Sequence, residues 1–195
     1  MKNQKSKNLI YLFSLIILLM STSCGFVQNT AENISQGKPV FDESMQTVKV
    51  CFIKSKKLDS LGLVFVTRRI PKEDGLVTGA IRELFLGPTK PEELKGIMSE
   101  IPVGTRLINV EESEDEIYVD ISPQYLTGGG SATMQLRYIQ IYNTLKKIAP
   151  YKDFFLKVDG KMLKAIGGEG LEVTQPLTRI NDYTKKYEKT ETVQP

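Results

Sequence analysis

Histidine and tryptophan are absent from this chain of 195 residues, and cysteine occurs only twice, at Cys24 and Cys51. Without histidine the commonest general base and the commonest metal ligand are both missing. Neither a Ser-His-Asp nor a Cys-His arrangement can be built. A hydrolase could still run on two converging carboxylates. The one dense acidic run, Glu111 to Glu116, falls on a predicted hairpin tip, where carboxylates are solvated rather than brought together. The sequence also lacks a basic surplus once its beginning is set aside. It holds 26 Lys and Arg against 23 Asp and Glu, but Lys2, Lys5 and Lys7 lie in a leader, so the remainder balances. The pI of about 8.7 is therefore a property of the leader, and no nucleic-acid partner follows from it. The pairs Lys56–Lys57, Arg68–Arg69 and Lys146–Lys147 are isolated, without interleaved aromatics, and read as solvated faces. Neither a cofactor nor a metal is expected, and the chain reads as non-enzymatic.

The composition that remains, 41% hydrophobic and 25% charged, is that of one globular domain. Residues 1–23 have the form of a secretory leader: three lysines, an apolar run from Leu9 to Met20, then Ser21, Thr22 and Ser23. The run is shorter than the roughly 20 residues needed to cross a bilayer. Ser-Thr-Ser-Cys followed by Gly25 resembles a bacterial lipobox, although Ser21 stands where leucine is usual. The resemblance implies that Cys24 carries a lipid; the alternative is ordinary cleavage near Ser23. Residues 24–46 are polar and aperiodic, a flexible tether whose ends would lie about 25 Å apart.

Folding is expected from Thr47. Thr47–Lys54 and Gly62–Arg69 are β-rich, with Val48, Val50 and Phe52 alternating with Lys49, Cys51 and Ile53. Cys51 therefore reads as a packed residue of a strand rather than a reactive thiol. Pro71 to Asp74 starts a helix whose stripe is Leu76, Val77, Ala80, Ile81, Leu84 and Phe85, ended by Gly87 and Pro88. A short helical turn leads through Pro91 to the stretch on which the chain is centred. There Thr105–Glu111 and Glu116–Ile121 alternate at period two, with Ile108 and Val110 sharing one face, and must pair antiparallel across a short acidic connection. Gly128, Gly129 and Gly130 then free the backbone, Ser131 is placed as an N-cap, and Met134, Tyr138, Ile141, Leu145 and Ile148 repeat at helical spacing. Phe154–Val158 is a further strand, turned by Asp159–Gly160 into Lys161–Ile166. Leu171–Val173 adds an edge segment, and residues 184–195 form a polar tail.

A glycine loop entering a helix presents free backbone N–H groups and could hold an anion. Gly128, Gly129, Gly130 and Ser131 are thus a candidate ligand loop, with Asp120, Ser122 and Tyr125 beside it. No lysine follows at Walker spacing, so a structural turn explains the same residues. Asp120 has the alternative of orienting the loop backbone.

The order of the pieces Leu86–Thr89, Ile101–Pro102 with Gly104–Thr105, Val119–Ser122, Ile141–Leu145, Val158–Gly160 and Pro176–Arg179 with Asp182–Tyr183 resembles the GerMN domain. That domain is named from sporulation and germination proteins and is also found in bacterial lipoproteins; the resemblance spans residues 47–183. It implies an α+β fold with an antiparallel or mixed sheet and two main helices on one face. Its core order αββαβ is similar to the ring-building motif, here preceded by two strands, and implies no catalytic residue. The expectation is a lipid-anchored, extracytoplasmic protein on a bacterial membrane that binds an envelope protein or assembles with itself. A small-ligand or cell-wall glycan binder using the Gly128 loop and Tyr125 is the alternative.

Overall fold

The computed structural model describes residues 42–56, 60–166, 171–177 and 191–193. The leader, Cys24, most of the tether, Arg179, Asp182 and Tyr183 lie outside these residues. Two long strands begin the fold, β1 (Met45–Lys56) and β2 (Ser60–Pro71), paired antiparallel from Met45 with Pro71 to Lys56 with Ser60. Helix α1 (Leu76–Leu86) stops at Gly87, whose φ of 81° suits glycine. Helix α2 (Lys90–Leu94) opens on a Thr89–Glu92 capping box, the Thr89 N–H donating to the Glu92 carboxylate at 2.7 Å. Strand β3 (Ile97–Met98) then pairs antiparallel with β1.

The hairpin follows as β4 (Leu107–Glu112) and β5 (Glu116–Ile121), antiparallel as its alternation requires. Helix α3 (Ser131–Ile148) carries the chain to β6 (Asp153–Val158), which lies parallel to β5. A helical crossover is what a parallel pair demands. The remaining strands are β7 (Lys161–Met162), β8 (Ala165–Ile166), β9 (Leu171–Glu172) and β10 (Glu191–Val193). One sheet runs β10-β2-β1-β3 and another β4-β5-β6-β7, with β8-β9 a separate ribbon. The fold is α+β, and α1-β4-β5-α3-β6 after two strands is the predicted order.

Alternation along β1 and β2 sends Val48, Val50, Phe52, Val64 and Val66 into the main core. They meet Val77, Ala80, Ile81 and Leu84 of α1, the inner residues of β5 and β6, and Met134, Tyr138, Ile141 and Leu145 of α3. Cys51, Leu63 and Phe65 project oppositely and form a smaller cluster with Ile139. Cys51 is fully buried, which pushes its thiol pKa up and keeps the thiolate unavailable.

Four expectations change. Ile108 does not share an inner face with Val110: a register shift between Leu107 and Asn109 turns it out, half-exposed. Leu76, placed in the buried stripe, is exposed at the first turn of α1. Lys161–Ile166 is not one strand, because Gln175 takes over as partner. Its side chain bonds both N–H and C=O of Leu156 and the C=O of Leu163, each at 2.8 Å. Finally, the 184–195 stretch, read as a polar tail, contributes a strand, since β10 pairs parallel with Val64–Val66 of β2. Three residues are too few for a legible period.

Candidate functional site

The glycine loop adopts the conformation its residues were expected to permit, with φ of 62° at Gly128 and 86° at Gly129. The helix cap is Gly130, not Ser131: Gly130 has the extended backbone of a cap, and Ser131 is already helical. The inner side of the loop is filled by Arg137, nearly two helical turns beyond the Gly130 cap. Its Nη2 donates to the Gly128 carbonyl at 2.8 Å, its Nη1 to the Tyr125 carbonyl at 2.9 Å and its Nε to the Glu100 carbonyl at 2.7 Å. Arg137 is buried, and desolvation lowers its pKa. A β-carbon at Gly129 would stand 3.0 Å from Arg137 Nη2 and 2.6 Å from Thr133 Cγ2. The guanidinium thus clamps three stretches of backbone that otherwise have no sheet partner.

The other candidates are dispersed. Tyr125 is wholly buried, and its hydroxyl has no hydrogen-bond partner among the described residues. Burial raises its phenol pKa, so the ring is neutral. Ser122, also buried, accepts the Arg106 N–H at 3.0 Å and prolongs the β4–β5 pairing. Asp120 does not orient the Gly128 loop. Both its carboxylate oxygens accept the Gly160 N–H, at 3.1 and 3.0 Å, so it secures the Asp159–Gly160 turn after β6.

Two further buried polar residues of α3, Gln140 and Thr144, close the open edge of β1. Thr144 Oγ1 accepts the Cys51 N–H at 3.0 Å. Gln140 donates to the Cys51 carbonyl at 3.4 Å and to Ser99 Oγ at 3.0 Å, and accepts the Glu100 N–H at 2.9 Å. Nothing in the apolar stripe announced them, although Arg137, Gln140 and Thr144 recur at three and four residues and so mark one helical face.

Arg68, read from sequence as part of a solvated pair, is half-buried. It grips Glu92 with two bonds of 2.7 and 2.6 Å, lies 3.3 Å from Glu83, and stands 5.6 Å above the Phe52 ring. Glu92 is lowered in pKa chiefly by the Arg68 hydrogen bonds, whereas burial raises that of Glu83. This cluster binds β2 to α1 and α2 and leaves no free acid.

One opening of the described surface lies away from these residues. A groove of about 450 Å³ runs between the end of α1 and the segment after β3, lined by Leu86, Gly87, Pro88, Met98, Ile101 and Val103 among others. Leu86 is 77% exposed. Val103 is fully exposed at the tip of a tight turn that the Thr105 N–H closes onto the Pro102 carbonyl at 3.0 Å. Gly104, with φ of 88°, supplies the positive φ this turn needs. Leu94, also in solvent, follows the groove residue Glu93. Leu86 was read only as a piece of a pattern and Val103 and Leu94 were not singled out, since exposure is not predictable from apolar residue types.

Among the described residues, no three His, Cys, Asp or Glu side chains gather as a metal would require. No described helix is long and apolar enough to cross a membrane.

The family model described as Germane, sporulation and spore germination, matches residues 49–164, so the last of the signatures, from Pro176, lies beyond it. Among solved structures, the tandem GerMN domains of the sporulation protein GerM from Bacillus subtilis align with a TM-score of 0.54 and 23% identity, over 68% of this chain and 45% of that one. The chain therefore spans less than half of that tandem structure. The first GerMN domain of the same protein aligns with a TM-score of 0.50 and 16% identity, over 66% of this chain and 94% of that one. At these identities the likeness is one of fold. No curated protein matches.

Proposed function

This chain belongs to the Germane family of sporulation and spore germination, and from that premise we propose that it is a non-enzymatic, lipid-anchored envelope protein whose domain docks another envelope protein. The anchor is Cys24, carried by the lipobox-like end of the leader, and the polar stretch after it holds the domain off the membrane. The docking surface is the groove between Leu86–Pro88 and Met98–Val103.

One observation carries this reading: large apolar side chains line the rim of a concave surface and face water. Leu84 and Ile81 of α1 are buried, whereas Leu86 at its end is not. A contiguous apolar exposure around a groove is the mark of a partner site. Among the described residues the groove lining holds one carboxylate, Glu93, and no converging pair of acids, so it is suited to shape and apolar contact rather than to proton transfer.

The test places a photo-crosslinking side chain at Val103 in the full chain, in membranes of the native organism. A single discrete protein adduct is expected at Val103, absent when Leu86 is changed to Asp and absent from a probe at exposed Lys161. An indistinct smear, equal at both probe positions, would sink the proposal.

A further inference from the structure

A second surface lies at the opposite end of α1. Leu76 and Ile148 form an apolar centre between two hollows that share them, one of about 510 Å³ and one of about 410 Å³. The larger is bounded by the hairpin acids Glu112, Glu114 and Asp115 and by Tyr151. The smaller is bounded by Thr47, Lys49, Thr67 and Lys147. Tyr151 is 98% exposed, an aromatic side chain with almost no contact of its own. Glu112 is held by Lys152 at 2.8 Å. Glu114, Asp115, Lys49 and Lys147 make no ion pair among the described residues; the Lys147 ammonium only overlies the Phe65 ring at 5.0 Å.

We propose that this face binds a second copy of the chain about a two-fold axis passing near Leu76 and Ile148. A two-fold interface must be self-complementary. A patch of one sign would repel its own copy. A patch that is acidic on one side of an apolar centre and basic on the other attracts it, because rotation by half a turn lays each end on its opposite. Glu114 and Asp115 of each copy then face Lys49 and Lys147 of the other. Tyr151 of each enters the other's basic hollow, where a lysine beside the ring adds a cation–π contact. Tyrosine is among the residue types that anchor interfaces. The balanced charge beyond the leader removes general repulsion between copies. The pairing rests on the reading of the domain as a docking module, but it uses a surface separate from the Leu86–Val103 groove.

The test co-expresses full chains bearing two different tags and measures how much of one tag co-purifies with the other after mild solubilisation. Wild-type copies co-purify, less so at high salt. Glu114→Lys with Asp115→Lys in both copies turns each patch net basic, and Lys49→Glu with Lys147→Glu turns each net acidic, Glu112 and Lys152 remaining paired with one another in both. Either change lowers co-purification about tenfold or more, as like charges are brought face to face. Combining one acid-reversed copy with one base-reversed copy restores it, because every facing pair is again opposite in sign, and that recovery also shows that both variants fold. Tyr151→Ala weakens the wild-type pair. Wild-type copies that do not co-purify overturn the proposal, as do reversed variants that pair like wild type or a mixed pair that stays apart. The Val103 adduct is read independently, so failure of this dimer leaves the groove reading standing, and the converse holds.

Discussion

Replacing Arg137 by Met keeps the aliphatic packing of the side chain and deletes its three bonds to backbone carbonyls, along with a weaker one to Met134 Sδ. The Tyr125 carbonyl is buried with its bond, and a buried acceptor left unsatisfied costs about 1–3 kcal/mol. The carbonyls of Glu100 and Gly128 lie in partly buried bonds. Water can replace the donor there, so each contributes only about 0.5–1.5 kcal/mol net. Removing the charge also returns its desolvation penalty, which works in the opposite direction. The expected outcome for Arg137→Met is a loss of about 2–4 kcal/mol. For a domain of this size, that is a fall in melting temperature of about 5–15 °C. Arg137→Lys should recover little, since a single ammonium cannot span three carbonyls in the fixed fork that guanidinium offers. Urea unfolding followed by circular dichroism gives the first quantity and a thermal scan the second. A Met variant as stable as wild type, or more so, would refute the clamp and show that burying this cation is a net cost.

Thr144→Val leaves the Cys51 N–H of β1 without its acceptor and should cost about 1–3 kcal/mol by urea unfolding, with Thr144→Ser restoring most of it. Glu92 is held below its ordinary carboxyl value of 4.5 chiefly by Arg68. Its contribution is therefore complete above about pH 4.5 and drains away as the pH falls through the lower folded-state value. In Glu92→Gln the acid-range decline of the urea midpoint should be shallower, and an unchanged decline would contradict the assignment. Cys51, buried and with its thiol pKa raised, should react with a thiol reagent only as fast as the chain opens. Stoichiometric labelling of this residue under native conditions on a timescale faster than unfolding would contradict its placement.

Much of the fold was legible because it is written in apolar period. The β4–β5 pairing, the alternation of β5, the α1 stripe from Val77 to Leu84, the α3 stripe, the Gly87 stop and the Asp159–Gly160 turn all rest on local rules that tertiary structure did not override. The parts that were not legible depend on polar residues acting at long range. Arg137, Gln140 and Thr144 look like the wet side of a helix, yet α3 is covered there too, and each satisfies backbone from segments at least nine residues away in sequence. Asp120 was placed beside the glycine loop, as a ligand-loop residue or as one that orients the loop backbone, but it fixes a turn forty residues on. Sequence proximity pointed to the glycine loop instead. Ile108 failed for a different reason: a bulge changes the face of a side chain without changing the residue pattern.

The two exposed apolar surfaces follow from how α1 is used. Its middle is enclosed, with Val77, Ala80, Ile81 and Leu84 all buried. Leu76 and Leu86, at its first and last positions, project beyond the core at both ends. Ten residues at 1.5 Å each put them about 15 Å apart. A helix packed along its whole middle is a stiff element, so the two surfaces are held at a fixed separation rather than on mobile loops. Polar side chains are used elsewhere, on occupying the Cys51 backbone groups at the β1 edge and on filling the glycine loop. The surfaces that α1 sets are made of side chains: an apolar groove at one end and a two-signed face at the other. The proposed partner and the proposed second copy would thus sit on separate surfaces, so neither contact would displace the other.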